Sequence, residues 1–328
     1  MPATARAVPS SAYRVDPEFA QAVAAGLTAK RQKTLPPSWL YDEVGSALFE
    51  VITVLPEYGV TRAEASLLQH ASDEIVRASA APSQIVELGS GTGTKTRHIL
   101  QAATRYHPVH YTPIDISRAA LDSCAHALGD LPSLSIETVA ASYLDGVDTA
   151  LAHREPRKPI LLLFLGSTIG NFTRTEAIAF LKQISRRLRP GDYLLLGADL
   201  VKSRERLISA YDDPIGVTAA FNLNLLARIN RELDGEFALR RFTHEARYNE
   251  RHSRIEMHLR SRARQDVRIG ALDLTIRFEA GETIWTESSH KFRTEEIGRI
   301  GQRSGWTCIR QWVDRDWGFA ETLFRKGR

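Results

Sequence analysis

Three glycines alternate at the end of VELGSGTG, the stretch from Val86 to Gly93. Gly89, Gly91 and Gly93 permit positive φ and let a ligand come close to the main chain. The run before them is apolar, and the run after them, from Thr94, reads as a helix. A nicotinamide dinucleotide loop takes the form G-x-G-x-x-G, but Thr94 stands where its last glycine would be. Two acids bear on the choice of ligand. Glu87 lies two residues before Gly89, and Asp115 ends the next strand-like run, YTPIDIS, where it is placed to accept hydrogen bonds from ribose hydroxyls. An acid like Asp115 serves a nicotinamide cofactor equally well. Together, Glu87, the G-x-G-x-G loop and Asp115 favour S-adenosylmethionine. The plainer reading makes Glu87 the cap of a loop and Asp115 the cap of a helix.

Regular alternation surrounds this loop. Residues 83–89, 109–117, 134–142, 159–172 and 191–200 read as strands, and 94–106, 117–130 and 174–188 as helices. Such alternation implies a parallel sheet covered on both faces. The unbroken apolar run from Ile160 to Leu165 suits a strand buried on both sides. Ahead of this region, 17–33 has an amphipathic helical pattern, and 36–76 reads as short helices punctuated by Pro36, Pro37, Gly45, Pro56 and Gly59. Residues 1–15 read as frayed. The pattern changes near residue 200. Residues 204–233 read as two helices around Asp213–Pro214, and 255–262, 266–278 and 282–292 as antiparallel strands. A helix over 293–306 and a strand-like tail over 308–326 close the chain.

Composition narrows the classes. The 328 residues are 43% hydrophobic and 25% charged, a soluble globular balance. Net charge is only +4. The arginine-dense stretch Arg240–Arg264 interleaves acids and apolar residues, so it reads as the wet faces of strands rather than a nucleic-acid surface. Cys124 and Cys308 lie far apart, which points to a reducing compartment, and the histidines show no metal-ligand spacing. The first residues lack the apolar core of a signal peptide, and no run approaches membrane-span length. A cytoplasmic, monomeric protein with neither nucleic-acid nor membrane partners is expected.

Several stretches occur in a telling order: LYDEVGSALFEVITVLPEY, TRAE, VELGSGTGTKTR, FLGSTIGNF, PGDYLLLGADLVK, AYDDPIGVTAAFNLNLLARINREL, IEMHLRS and TESSHKF. This series resembles the histidine-specific, S-adenosylmethionine-dependent methyltransferases, from about residue 30 to the C-terminus. The resemblance implies an α/β fold, with a Rossmann-like methyltransferase sheet over 61–199 and 289–328. A second, α+β substrate-binding domain would be assembled from 1–60 and 200–288. It implies three successive methyl transfers to the α-amine of L-histidine, giving the betaine hercynine for ergothioneine biosynthesis. A rival substrate is another aromatic amino acid, such as tryptophan. A nicotinamide oxidoreductase and a non-catalytic amino-acid binder are the readings from other classes.

The resemblance also assigns residues. Gly166, Thr168 and Asn171 would line the amino-acid pocket, with Asn171 on the substrate carboxylate and Tyr211 sharing it. Met257, Glu287 and Ser289 would surround the imidazole, and Tyr41, Phe49 and Tyr58 would close over the amine and ring. Tyr41, Gly166 and Thr168 are the candidates nearest the chemistry. Gly89, Gly91, Lys95 and Asp115 would contact the cofactor with Glu87, Ser142 and Tyr143. Methyl transfer from a sulfonium is an in-line displacement that needs positioning and dryness rather than a covalent intermediate. Glu287 would accept from one imidazole nitrogen and Ser289 donate to the other, and aromatic faces would hold the cationic amine. Ordinary roles compete throughout. Tyr41 and Phe49 also suit a core, Met257 a strand filler, Asn171 a helix cap and Glu287 a solvent-facing strand position. The sequence departs from the family pattern at Ser142, where an acid beside the adenine is usual, at Gly59 after PEY, and at Ser288.

Overall fold

The computed structural model describes residues 15–327; the frayed start expected for residues 1–15 lies, apart from Val15, outside the described residues. Burial drives the main sheet. Ile160–Phe164 and Tyr193–Asp199 are buried at every position, and alternate residues feed two separate cores. Leu162, Phe164, Leu194 and Leu196 pack with Phe324 and Ile184 on one face. Leu161, Leu163 and Leu195 pack with Ile75, Ile99 and Leu100 on the other. Helices therefore cover both faces, as the sequence implies.

This sheet has eight strands. Its order is Trp306–Asp314, Phe319–Lys326, Tyr193–Asp199, Ile160–Phe164, Gln84–Leu88, Val109–Asp115 and Leu134–Ile136, with Val139–Ala140 also on Val109–Asp115. The tail from 306 makes the sheet mixed rather than purely parallel, since Phe319–Lys326 runs antiparallel to both of its neighbours. The strand expected over 134–142 is broken in two. It pairs with residues 109–111 and then with 114–115. The gap spans Pro113, which has no N–H to give a neighbour.

Four strands form a second sheet, ordered Lys33–Thr34, Thr283–His290, Arg254–Ser261 and Phe242–Asn249. The hairpin Gln265–Ile269 with Leu274–Phe278 lies beside it. Its core gathers Phe19, Leu27, Phe221, Leu225, Phe242, Leu259, Phe278 and Ile284 around the helix Val217–Leu233. The helix expected over 17–33 stops at Leu27. Asp16 caps its start by accepting from Glu18 and Phe19 N–H, and Pro17 opens it. It ends because Gly26 packs directly on the Thr34 carbonyl, and the returning Lys33–Thr34 joins the sheet as a parallel edge.

The carboxyl ends of the parallel strands deliver Gly89–Gly93, Asp115, Gly166–Asn171 and Asp199 to one edge, where open α/β sheets bind ligands. The glycines of the first loop differ in what they meet. Gly93 has φ +69°, and a Cβ there would lie 2.5 Å from Cys124 Sγ; Gly91 has φ +51° and nothing within 4 Å. Gly91→Ala should then cost about 1 kcal/mol of backbone strain. Gly93→Ala should add overpacking of about 1–3 kcal/mol. Urea unfolding midpoints check the order; equal midpoints would contradict it.

Candidate active site

Gly91 leaves the outer side of the first loop open. Asp115 braces that loop from the next strand: its carboxylate accepts from Gly91 N–H at 3.1 Å and Ser117 N–H at 2.9 Å. Each oxygen keeps a second lone pair, which suits a ribose diol. Gly89 brings the main chain to the Tyr143 hydroxyl, where a Cβ would stand 3.4 Å away. Tyr143 in turn packs edge-on to Phe164 and Phe180. Ser142 donates to the Asp145 carboxylate at 2.6 Å. Asp145 lies one helical turn on from Ser142, whose oxygen keeps acceptor capacity. Glu87 is turned the other way. Its buried carboxyl accepts from Thr96, at 2.8 and 2.9 Å, and from Tyr111, so it braces the loop from beneath instead of facing its open side. Burial outweighs those bonds and pushes its pKa up to about 7. Lys95 pairs with Glu64. Burial pulls its ammonium down, but Glu64 more than offsets this and holds it charged. The open loop, the diol-facing acid and the nearby cation fit the adenosyl, ribose and amino-acid parts of S-adenosylmethionine.

The loop after Ile160–Phe164 is clamped from two sides. Ser167 adopts φ +57°, and its hydroxyl accepts from Asp199 N–H at 2.9 Å. Gly170 packs against the His290 main chain, and its carbonyl bonds His290 Nδ1 at 2.9 Å. These contacts set the 3-10 turn Thr168–Asn171 and present Asn171 at its end. Thr168 spends its hydroxyl hydrogen on Leu165 O, and Gly166 donates its N–H to Glu64. Both residues build the turn.

Five rings close the next wall. Tyr41 lies 5.4 Å from Phe49 and 5.5 Å from Phe221. Phe49 lies 5.9 Å from Phe221 and 6.3 Å from Tyr58, and Tyr58 lies 5.9 Å from Tyr211. Most of these contacts are edge-to-face, the favoured aromatic geometry. Glu287 sits beside the rings, opposite Met257 in the antiparallel pairing. Its side chain keeps some exposed surface, yet protein surrounds most of it. It has no hydrogen-bond partner among the described residues, and burial pushes its carboxyl up to about 7. Burial also pushes the Tyr41 and Tyr58 hydroxyls well above the usual tyrosine value, with Glu287 adding to both shifts.

Lys291 lies beneath this wall with no exposure. Its ammonium donates to Tyr211 Oη at 2.8 Å and Ser289 Oγ at 2.9 Å, and pairs with Asp199 at 2.8 Å. Burial raises the Asp199 carboxyl, but Lys291 and Lys202 together hold it below the ordinary carboxylate value. The Tyr211 hydroxyl donates to Ser289 Oγ at 2.8 Å. Two hydroxyls therefore share one joining hydrogen, and a single O–H remains for the pocket. As placed, that hydrogen belongs to Ser289. The roles carried over for Tyr211 on the carboxylate and Ser289 on the ring draw on the same hydrogen.

The structure thus gathers Tyr41, Phe49, Tyr58, Tyr211, Met257, Glu287 and Ser289 about one wall, and Gly89, Gly91, Asp115 and Tyr143 about one loop. Phe221, Lys291, Asp199, Glu64 and Asp145 join them without having been singled out in the sequence. Phe221 has helical apolar spacing and looks like core. Asp199 carried a usable signal, an acid at the carboxyl end of an apolar strand. Among the described residues, no group of three or more His, Cys, Asp or Glu is arranged to hold a metal ion, and no helix is long and apolar enough to cross a membrane.

The Rossmann-like sheet and the fitted loop define the class, a methyltransferase that uses S-adenosylmethionine. More narrowly, the model of the histidine-specific, SAM-dependent methyltransferases matches residues 19–326, and the chain belongs to that family. It is 46% identical over 299 residues to the histidine N-alpha-methyltransferase of Mycobacterium tuberculosis, covering 90% of this chain and 92% of that one. Identity to the Mycolicibacterium smegmatis protein of the same name is 45% over 303 residues, 92% of each chain. The Neurospora crassa ergothioneine biosynthesis protein 1 is 31% identical over 286 residues, 86% of this chain and 32% of that one.

Glu287 sets a pH test. Folded, it keeps its proton to about pH 7, whereas an unfolded glutamate loses it near 4.5. The folded state binds the extra proton between those values, so stability falls as pH rises through that window. Glu287→Gln removes this loss. The ligand-free variant should be more stable than wild type at pH 8, by up to about 3 kcal/mol, and the two should converge near pH 4. Urea unfolding at both pH values reads the difference; none at pH 8 would contradict the assignment.

Proposed function

We propose that this protein methylates the α-amine of L-histidine three times in succession, giving Nα,Nα,Nα-trimethylhistidine, the hercynine step of ergothioneine biosynthesis. The observation that carries this reading is the Glu287 carboxyl. It faces the aromatic wall without a protein partner, beside a serine left with one hydrogen to give. An imidazole offers one N–H and one bare nitrogen, which matches that acceptor and that donor. An indole offers an N–H alone and would leave Ser289 unpaired, at a cost of about 1–3 kcal/mol. The two full-length relatives named for histidine support the same substrate. The core around Phe221 and the cores on the main sheet support a division into 1–60 with 200–288, for the amino acid, and 61–199 with 289–328, for the cofactor.

S-adenosylmethionine, when bound, supplies an electrophilic methyl on its sulfonium. The protein's part is positioning. Asn171 donates its amide to the substrate carboxylate, Glu287 accepts the ring N–H, and Met257 fills the space beside the ring. Tyr41, Phe49, Tyr58 and Phe221 surround the amine and exclude water. Their faces favour each methylated ammonium by about 0.5–2 kcal/mol, which suits an enzyme that keeps its product for another round. Burial keeps the Tyr41 and Tyr58 hydroxyls protonated. They pass the amine's proton toward water and do not hold it as a base.

Mass spectrometry after incubation with S-adenosylmethionine and equimolar histidine and tryptophan tests the reading. Histidine should gain one to three methyl groups while tryptophan stays unchanged. Glu287→Ala and Asn171→Ala should each raise the KM for histidine about 10–100-fold with little change in cofactor affinity. Methylated tryptophan beside untouched histidine would overturn the substrate.

A further inference from the structure

Glu64 and Glu321 are buried without exposure, one on the helix Gly59–Ala78 and the other on the strand Phe319–Lys326. Both lie over Gly197, the residue paired with Glu321 across the sheet. A Cβ on Gly197 would overlap Glu64 Oε1 and stand 3.0 Å from Glu321 Oε1, so a glycine makes room for the two acids. Their hydrogen bonding is unequal. Glu64 accepts from the Lys95 ammonium with one oxygen and from Gly166 N–H, at 2.5 Å, with the other. Both Glu321 oxygens are buried and find no N–H or hydroxyl donor among the described residues. What Glu321 meets is the carboxyl of Glu64. Two touching carboxyls away from water hold one proton between them. Glu64 already accepts from two donors, one of them a cation, so the charge belongs there and the proton belongs on Glu321.

Lys95 lies just past the glycine loop, and Gly166 leads into the turn that ends at Asn171. We propose that the Glu64 carboxylate is a positioning residue that fixes the Lys95 ammonium and the Gly166 N–H to one charge, setting the cofactor loop and the substrate turn relative to each other, and that Glu321 is its neutral, hydrogen-donating partner. Neither acid touches the reacting atoms. The inference needs only the cofactor class and stands whichever amino acid is methylated.

Calorimetric binding of S-adenosylhomocysteine to the full-length protein tests it without reference to the acceptor. Glu64→Gln removes the counter-ion of Lys95 and should weaken binding at least tenfold. Lys95→Met should weaken it similarly, and the double variant no more than either single one, because the pair acts as a unit. Glu321→Gln keeps a neutral side chain with a hydrogen to give, so its loss should be at least tenfold smaller than that of Glu64→Gln. Glu321→Leu, which cannot donate, should bind more weakly than Glu321→Gln. Equal losses for Glu64→Gln and Glu321→Gln, or additive losses for Glu64→Gln and Lys95→Met, would overturn the proposal. Circular dichroism establishes that each variant folds. Should Glu64→Gln not fold, the two Glu321 variants decide, and glutamine binding no better than leucine would overturn the assignment of the proton.

Discussion

The ion pair of Lys291 with Asp199 joins the two sheets, and the aromatic wall hangs from it. Asp199 ends a central strand of the main sheet, and Lys291 follows the strand that carries Glu287 and Ser289. The main chains meet at the same point, with Phe292 N–H on Asp199 O and Val201 N–H on Phe292 O, each at 2.9 Å. Removing one partner from a buried pair typically costs about 3–5 kcal/mol, because the other charge is left unpaired in a dry place. That penalty ties the wall to the sheet edge where the cofactor loop opens. Lys202 and the Trp317 indole donate to the other Asp199 oxygen, so one carboxylate holds two hydrogen-bond donors beside its ion pair with Lys291.

Charge is distributed to suit a reaction that moves positive charge onto an amine. The cations in the interior are each matched, Lys95 by Glu64 and Lys291 by Asp199. The acid beside the rings, Glu287, has no hydrogen-bond partner among the described residues, and burial pushes its carboxyl up to about 7. The Lys291 ammonium lies over the Tyr211 ring, 4.6 Å from its centroid, which leaves the rings of Tyr41, Phe49 and Tyr58 to receive a cationic product. Hydroxyl count sets a limit on the other side. With Lys291 donating to both oxygens, Tyr211 and Ser289 supply a single hydrogen to a ligand.

Much of this was legible in the sequence, and the exceptions have physical reasons. The alternation from Gln84 to Asp199 reported the sheet because strands buried on both faces must be apolar throughout. The glycine loop reported itself because only glycine takes its φ values without cost. The helix in 17–33 is shorter than its pattern implies, since the amphipathic spacing continues past Leu27 while Gly26 packs on a strand that arrives later in the chain. Phe221 and Glu64 gave no sign, because a phenylalanine at helical spacing and a lone acid on a helix ordinarily mean core and solvent. Their roles come from distant partners, about 180 residues away for Phe221 on Tyr41 and about a hundred for Glu64 on Gly166. Ser142 stands where the family pattern has an acid, and its hydroxyl donates to Asp145 three residues on, a partner that follows from the helical turn.

In the proposed function, Glu287 and the aromatic wall read the ring and the amine of a histidine. A crystal structure with S-adenosylhomocysteine and histidine tests it most directly. The imidazole N–H should lie on Glu287, with the other ring nitrogen facing Ser289 and the α-amine among Tyr41, Phe49 and Tyr58, pointed at the mouth of the glycine loop. An imidazole bound away from Glu287, or an α-amine turned from that loop, would contradict it.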